Sequence, residues 1–123
     1  MYKLLIAFLL MIPSYSLANG VIVYDNIDAA KQEAKDTDSK LVIVFGADWC
    51  KYCTILKSDL QNKLMEINNT VICIVDYDTN KDLVDQFKVK TIPDSLIIED
   101  NTVVRRKVGY PGFQAYKKWL DNE

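Results

Sequence analysis

The spacing of hydrophobic and polar positions changes character several times along the chain, and each change predicts an element. Leu41-Val42-Ile43-Val44-Phe45 is a continuous apolar run, β-branched and aromatic, short enough to suit a buried strand better than a helix. After it, Cys53, Leu56, Leu60, Leu64 and Ile67 recur at steps of three and four, which predicts a helix broken at Asn68-Asn69-Thr70. Upstream, Val21–Tyr24 reads as a short strand. Asp25–Lys35, with Ile27, Ala30 and Ala34 on one side, reads as an amphipathic helix capped by Asn26 or Asp28. Asp36–Lys40 is a polar loop, and its acids are solvated residues, not a site.

Downstream, Val71-Ile72-Cys73-Ile74-Val75 predicts a strand covered on both faces. Thr79 or Asn80 can cap a short helix carrying Leu83, Val84 and Phe87, with Asp82 in its first turn. Ser95–Glu99 and Thr102–Val108 flank the pair Asp100-Asn101, which is a hairpin signal, so these strands should be antiparallel. Arg105, Arg106 and Lys107 on the outer one read as protection of a sheet edge. After the loop Gly109–Gly112, Phe113, Tyr116, Trp119 and Leu120 mark the packed side of a closing helix. The order of elements predicts an α/β layered domain with a central mixed sheet, helices on both faces, right-handed early crossovers and a C-terminal antiparallel hairpin.

The first eighteen residues follow a different pattern. Lys3 supplies a basic start, Leu4–Ile12 is a nine-residue apolar core, and Pro13–Ala18 brings a breaker and small residues. That is the layout of a signal peptide cleaved after Ala18, leaving one domain, 19–123. A membrane span needs roughly 20 apolar residues, so an uncleaved anchor is the weaker reading. Without Lys3 the chain carries 14 basic against 17 acidic residues, a charge of −3, which argues against a nucleic-acid surface. At 123 residues, 50% of them hydrophobic, it can build one modest core.

Export makes the cysteines informative. Three cysteines are too few, and odd in number, for a structural disulfide framework. Nor is a metal site expected, since zinc usually takes four Cys or His ligands and the chain has no histidine. Cys73, mid-strand, reads as a small buried hydrophobe and not as a third redox thiol. Cys50 and Cys53 stand where a strand hands over to a helix. A thiol there faces unpaired backbone N–H groups and the positive end of the helix dipole, both of which favour the thiolate. C-x-x-C pairs have nucleophile pKa values of roughly 3.5 to 7.5 instead of about 8.5. Lys51 adds a positive charge that acts in the same direction. The spacing thus supplies an attacking thiolate, Cys50, and a resolving thiol, Cys53.

With Trp49-Cys50-Lys51-Tyr52-Cys53 between strand and helix, and Thr91-Ile92-Pro93 placing a proline forty residues beyond the second cysteine, the chain resembles the thioredoxin superfamily over essentially residues 19–123. The resemblance implies the thioredoxin-like fold, no cofactor, and a cis Pro93 beside the cysteines, shaping a groove for an extended substrate segment. Trp49 would be a shield and substrate platform, and Lys51, Tyr52, Ile92 and Asp94 would line or shape the site; Asp48 reads as a surface residue.

There are departures. Val44 stands where the family has a buried acid six positions before the first cysteine, and Ile74 where it has a partner lysine. Lys51-Tyr52 replaces Gly-Pro, Asp94 replaces threonine, and the helix-kinking proline is replaced around Ser58. Asp94 has two open readings: a carboxylate near the sulfurs, acting as proton acceptor or substrate contact, or a side chain turned to solvent beside the groove.

The mechanism expected is exchange through a mixed disulfide, in which Cys50 attacks a substrate disulfide and Cys53 then releases the reduced substrate. Lys51 favours an oxidant, whereas Ile92 and the absence of a histidine between the cysteines favour a reductant, the direction preferred here. A reductant outside the cytoplasm implies a membrane-embedded electron donor; the alternatives are a disulfide-forming oxidant or isomerase, or a non-catalytic binding module on the same fold. The default assembly is a monomer acting on protein thiols and disulfides.

Overall fold

Strand β2, Lys40–Gly46, is bonded on both sides, parallel to β3, Thr70–Asp76, and antiparallel to β4, Asp94–Glu99. Its neighbours extend the sheet to β1, Val21–Tyr24, at one edge and β5, Thr102–Val108, at the other, in the order β1-β3-β2-β4-β5. This architecture comes from a computed structural model that describes residues 19–121; the expected signal segment, 1–18, lies outside the described residues. The sheet is mixed and β4–β5 is an antiparallel hairpin, as the sequence predicts. Asp100 and Asn101 both have left-handed φ, 50° and 62°, the conformation that a two-residue hairpin turn requires.

Alternation along the strands divides the core into two layers. Leu41, Ile43, Phe45, Val71, Cys73, Val75, Leu96 and Ile98 face α1, Ile27–Asp36, and α3, Lys81–Gln86. Val42, Val44, Ile72 and Ile97 face α2, Lys51–Asn62, and α4, Phe113–Leu120. Full burial of side chains such as Phe45, Ile43, Leu56 and Leu60 stabilises by about 1.5–3 kcal/mol each. Cys73 is completely buried in the first layer, as expected of a small hydrophobe.

Several local expectations are corrected. Helix α2 ends at Asn62, not near Ile67, and a 3₁₀ turn, Leu64–Glu66, follows. The turn seats Ile67 in the core while Met65 is left exposed, and the Ile67 carbonyl accepts from Gly20 N at 2.6 Å. Continuation of the helix would carry the chain past the start of β3. Of the two caps expected for α1, Asn26 is the one used, its side chain accepting from Ala29 N at 3.0 Å, as the sequence allows. Asn80 holds the N-cap position of α3 without capping it, because its amide donates instead to Asp25 Oδ1 at 2.8 Å and the Asp76 carbonyl at 2.9 Å.

Two of the three basic residues on β5 do more than guard an edge. A register shift at Ile97/Ile98 sets Arg105 opposite Ile97 and Arg106 opposite Leu96, so they face different layers. Arg105 donates to the Trp119 carbonyl and lies over that indole, 5.3 Å from the ring centre. Lys40 donates to the neighbouring Leu120 carbonyl. Cations thus gather at the last carbonyls of α4, where the helix dipole also favours them.

Candidate active site

Cys50 is the N-cap of α2, four residues after the end of β2 at Gly46. Its sulfur accepts from Cys53 N at 3.3 Å, a backbone donor that stabilises charge on this atom. The sulfur is joined to Cys53 in a disulfide, with the Cα atoms 5.2 Å apart, inside the range such bonds require. Cys50 is partly exposed, whereas Cys53 is only 7% exposed, one turn further on and packed against the end of β2. Gly46 makes that packing possible. A Cβ at this position would lie 3.2 Å from Cys53 Cβ and 3.4 Å from its sulfur.

The Ile92–Pro93 peptide is cis, and the Ile92 carbonyl lies 3.8 Å from Cys50 Sγ. Pro93 is buried, and its own carbonyl accepts from Gly109 N at 2.7 Å. Gly109 has φ 85°, a conformation open mainly to glycine, so this residue closes the loop beneath the proline. Trp49 and Tyr52 are 68% and 57% exposed beside the cysteines, and Lys51 is exposed as well. Trp49 is held from the other side, because its indole N–H donates to Asp78 Oδ2 at 2.8 Å in the loop after β3. Sequence reading gave Asp78 no role, since it lies far along the chain with no local pattern. Asp48 is exposed, in agreement with its reading as a surface residue.

Behind Cys53 a cleft of about 270 Å³ opens between α2 and the ends of β1, β2 and β3. Buried Val44, Leu56 and Leu60 form its apolar part, with Asp48, Lys57 and Asp76 among its polar lining. Val44 and Ile74 stand within this second layer and lining, so no ionisable side chain occupies either position.

Neither reading of Asp94 survives unchanged. The residue is 2% exposed, which excludes a solvent-facing side chain or a direct substrate contact. It lies on the strand face opposite Phe45 in register, and its Oδ1 accepts from Arg106 Nε at 3.1 Å. Burial pushes the Asp94 carboxyl up from its ordinary value and outweighs the pull of Arg106. An acid that binds its proton more tightly in the folded state favours folding most below its unfolded pKa, and that contribution is lost as pH rises toward the folded value. Wild type should therefore gain stability relative to Asp94→Asn as pH falls from about 7 to about 4, read from urea midpoints. A difference that stays constant, or moves the other way, would contradict this.

On the opposite layer, Tyr110 donates to Asp59 of α2, and Tyr116 to Ser95 at 2.6 Å. Burial pushes both hydroxyls up, so they remain protonated donors. These bonds tie the segment after β5 to the active-site helix and to β4.

Residues 21–122 match the family model described as Thioredoxin. The chain belongs to the thioredoxin family. It is 31% identical over 78 residues to a thioredoxin H-type of Fagopyrum esculentum, covering 63% of this chain and 67% of that protein. Over 72 residues it is 33% identical to the thioredoxin of Chlamydia trachomatis serovar D, covering 58% of this chain and 71% of that one. Among solved structures, a mutant thioredoxin from Halobacterium salinarum has a TM-score of 0.68 at 20% identity, over 89% of this chain and 95% of that one. Trxlp from Edwardsiella tarda gives 0.67 at 23% identity, over 80% and 97%. The structural likenesses establish the fold. Thioredoxin-family membership together with the bonded Cys50–Cys53 pair makes the chain a protein thiol–disulfide oxidoreductase.

Proposed function

We propose that this thioredoxin-family chain is an exported reductant of protein disulfides, with Cys50 as nucleophile and Cys53 as resolving thiol. The observation that carries this reading is the asymmetry of the pair: Cys50 is partly exposed at the helix N-terminus and accepts an N–H at 3.3 Å, while Cys53 sits beneath it at 7% exposure. Cys50 thiolate attacks one sulfur of a substrate disulfide, forming a mixed disulfide and releasing the other sulfur as thiolate. Cys53 then loses its proton, attacks Cys50 Sγ and frees the second substrate thiolate, leaving the Cys50–Cys53 disulfide. Two electrons pass to the substrate. With Val44 and Ile74 beside Cys53, that proton leaves to solvent through the cleft.

Trp49, Tyr52 and the Ile92–Pro93 edge form the surface on which an extended substrate chain lies, and Lys51 adds positive charge to it. The pattern of Lys3, Leu4–Ile12 and Ala18 supports export and cleavage, and hence periplasmic or secreted action as a monomer. Reduction there calls for a membrane-embedded donor to restore the thiols.

The test is the reduction potential of the pair, measured by equilibrating residues 19–123 with dithiothreitol or glutathione buffers and counting free thiols. A value toward the reducing end, about −270 mV, is expected; one near about −120 mV would make the protein an oxidant instead. Failure to cycle between dithiol and disulfide would refute exchange altogether.

A further inference from the structure

Arg106 binds both ends of the loop that faces the nucleophile. Its Nε donates to Asp94 Oδ1 at 3.1 Å, and a second guanidinium nitrogen donates to the Phe87 carbonyl. Phe87 is the C-cap of α3, and Asp94 is the first residue of β4, so the segment between these partners is Lys88–Pro93. That segment carries the Ile92 carbonyl, 3.8 Å from Cys50 Sγ, and the buried Pro93. Lys88 and Val89 turn back on α3 through Asp85 O at 3.2 Å and Val84 O at 2.9 Å, while Pro93 is held by Gly109. Among the described residues, Lys90 and Thr91 enter no hydrogen bond, so the middle of the loop takes its position from its ends.

We propose that Arg106, through Asp94 and the Phe87 carbonyl, is a positioning residue that sets the Ile92–Pro93 edge of the substrate groove relative to Cys50. The inference rests on the exchange reading above and goes beyond it by assigning a residue that touches neither the sulfurs nor the substrate. Only a planar, forked guanidinium can hold a carboxylate and a carbonyl together in a fixed geometry; an ammonium on a flexible stem meets one at a time. The contacts also fit the burial. Asp94 has its side chain 3% exposed and depends on this partner, whereas the Arg106 side chain, 35% exposed, reaches in from the surface.

Removing Arg106 outright would leave a buried carboxylate unpaired and threaten folding, so the informative variants are conservative. Arg106→Lys keeps the charge and loses the fork; Asp94→Asn keeps the acceptor oxygen and loses the charge. Reduced wild type and both variants are assayed for turnover of a disulfide-linked peptide and for iodoacetamide alkylation of Cys50, after urea unfolding confirms that each is folded. Arg106→Lys should lose about tenfold in kcat/KM for the peptide, mostly through KM, since small misplacement of a binding edge carries penalties of that order or more. Its alkylation rate should stay within about twofold, and Asp94→Asn should stay within about threefold in both assays. Unchanged peptide turnover in Arg106→Lys would overturn the proposal, as would an equal fall in both assays, which signals general loosening. An equal loss in Asp94→Asn would also overturn it, by making charge the cause and not the fork. Wild type that fails to turn over the peptide would instead refute the exchange reading.

Discussion

Cys50→Ser is expected to lower turnover of a protein disulfide by about 10³-fold or more, leaving a folded domain. A hydroxyl of ordinary acidity cannot replace a thiolate as nucleophile, and Cys53, at 7% exposure behind Gly46, cannot take over. Folding should survive because Cys50 is the N-cap of α2 and serine is among the best N-caps, able to accept from Cys53 N as the sulfur does. Cys53→Ser should behave differently. Its Cys50 still attacks, but the mixed disulfide has no internal thiol to resolve it, so covalent protein–substrate adducts accumulate. Non-reducing gels and intact mass would show them, and reductant would release them. Full exchange activity in both variants would mean that these cysteines are not the machinery. A partner bound equally by wild type and by the double serine variant, with no turnover in either, would point to a binding module.

The largest stability effect should come from Tyr116→Ala. The ring is completely buried, with ring centres of Tyr110 and Trp119 at 5.6 and 5.4 Å, and the hydroxyl donates to Ser95, which is itself fully buried. Truncating an aromatic in such a place costs about 3–5 kcal/mol, and stranding the Ser95 hydroxyl adds about 1–3. Against a total of about 5–15 kcal/mol for a domain of this kind, the variant should unfold at much lower urea or fail to fold. Tyr116→Phe separates the two contributions: it keeps the ring and should cost about 1–2 kcal/mol, and adding Ser95→Ala should recover most of that, because both partners of the bond are then gone. If the double variant is as destabilised as the two single variants summed, the hydrogen bond does not couple them.

What could be read before folding follows from interactions that span a few residues. The period-two and period-three-to-four patterns come from one element's own geometry, which is why β2, β3, the hairpin and the packed face of α4 match expectation. The cysteine pair was legible for the same reason, because strand, thiol and helix start are contiguous. The 3₁₀ turn at Leu64–Glu66 was hidden: Leu64 and Ile67 continue the helical spacing, and only the demand that the chain re-enter the sheet at Thr70 ends the helix. Asn80 resembles a cap in sequence, but Asp25 competes for its side chain from fifty-five residues away.

Arg105 and Arg106 show the same limit more sharply. One extra residue in β5, at the shift between Ile97 and Ile98, decides which arginine faces which layer. Without it the alternation would reverse and Arg105, not Arg106, would fall opposite Leu96 and on the layer of Asp94. No local signal marks that bulge. Nor does one mark Asp78 as the partner of Trp49, or Phe87 as the far anchor of the Pro93 loop.

The sequence by itself determined the family, the alternation of elements, and the thiol pair at the start of a helix, because each depends on residues adjacent along the chain or at helical and strand spacing. The tertiary structure alone decided how the reacting edge is held: Cys53 under Gly46, the Ile92 carbonyl against Cys50, and Asp94 turned inward to an arginine on another strand. Those placements depend on sheet register and on packing between segments forty or more residues apart in some cases, and a buried carboxylate finds its partner only once the strands that carry both are paired.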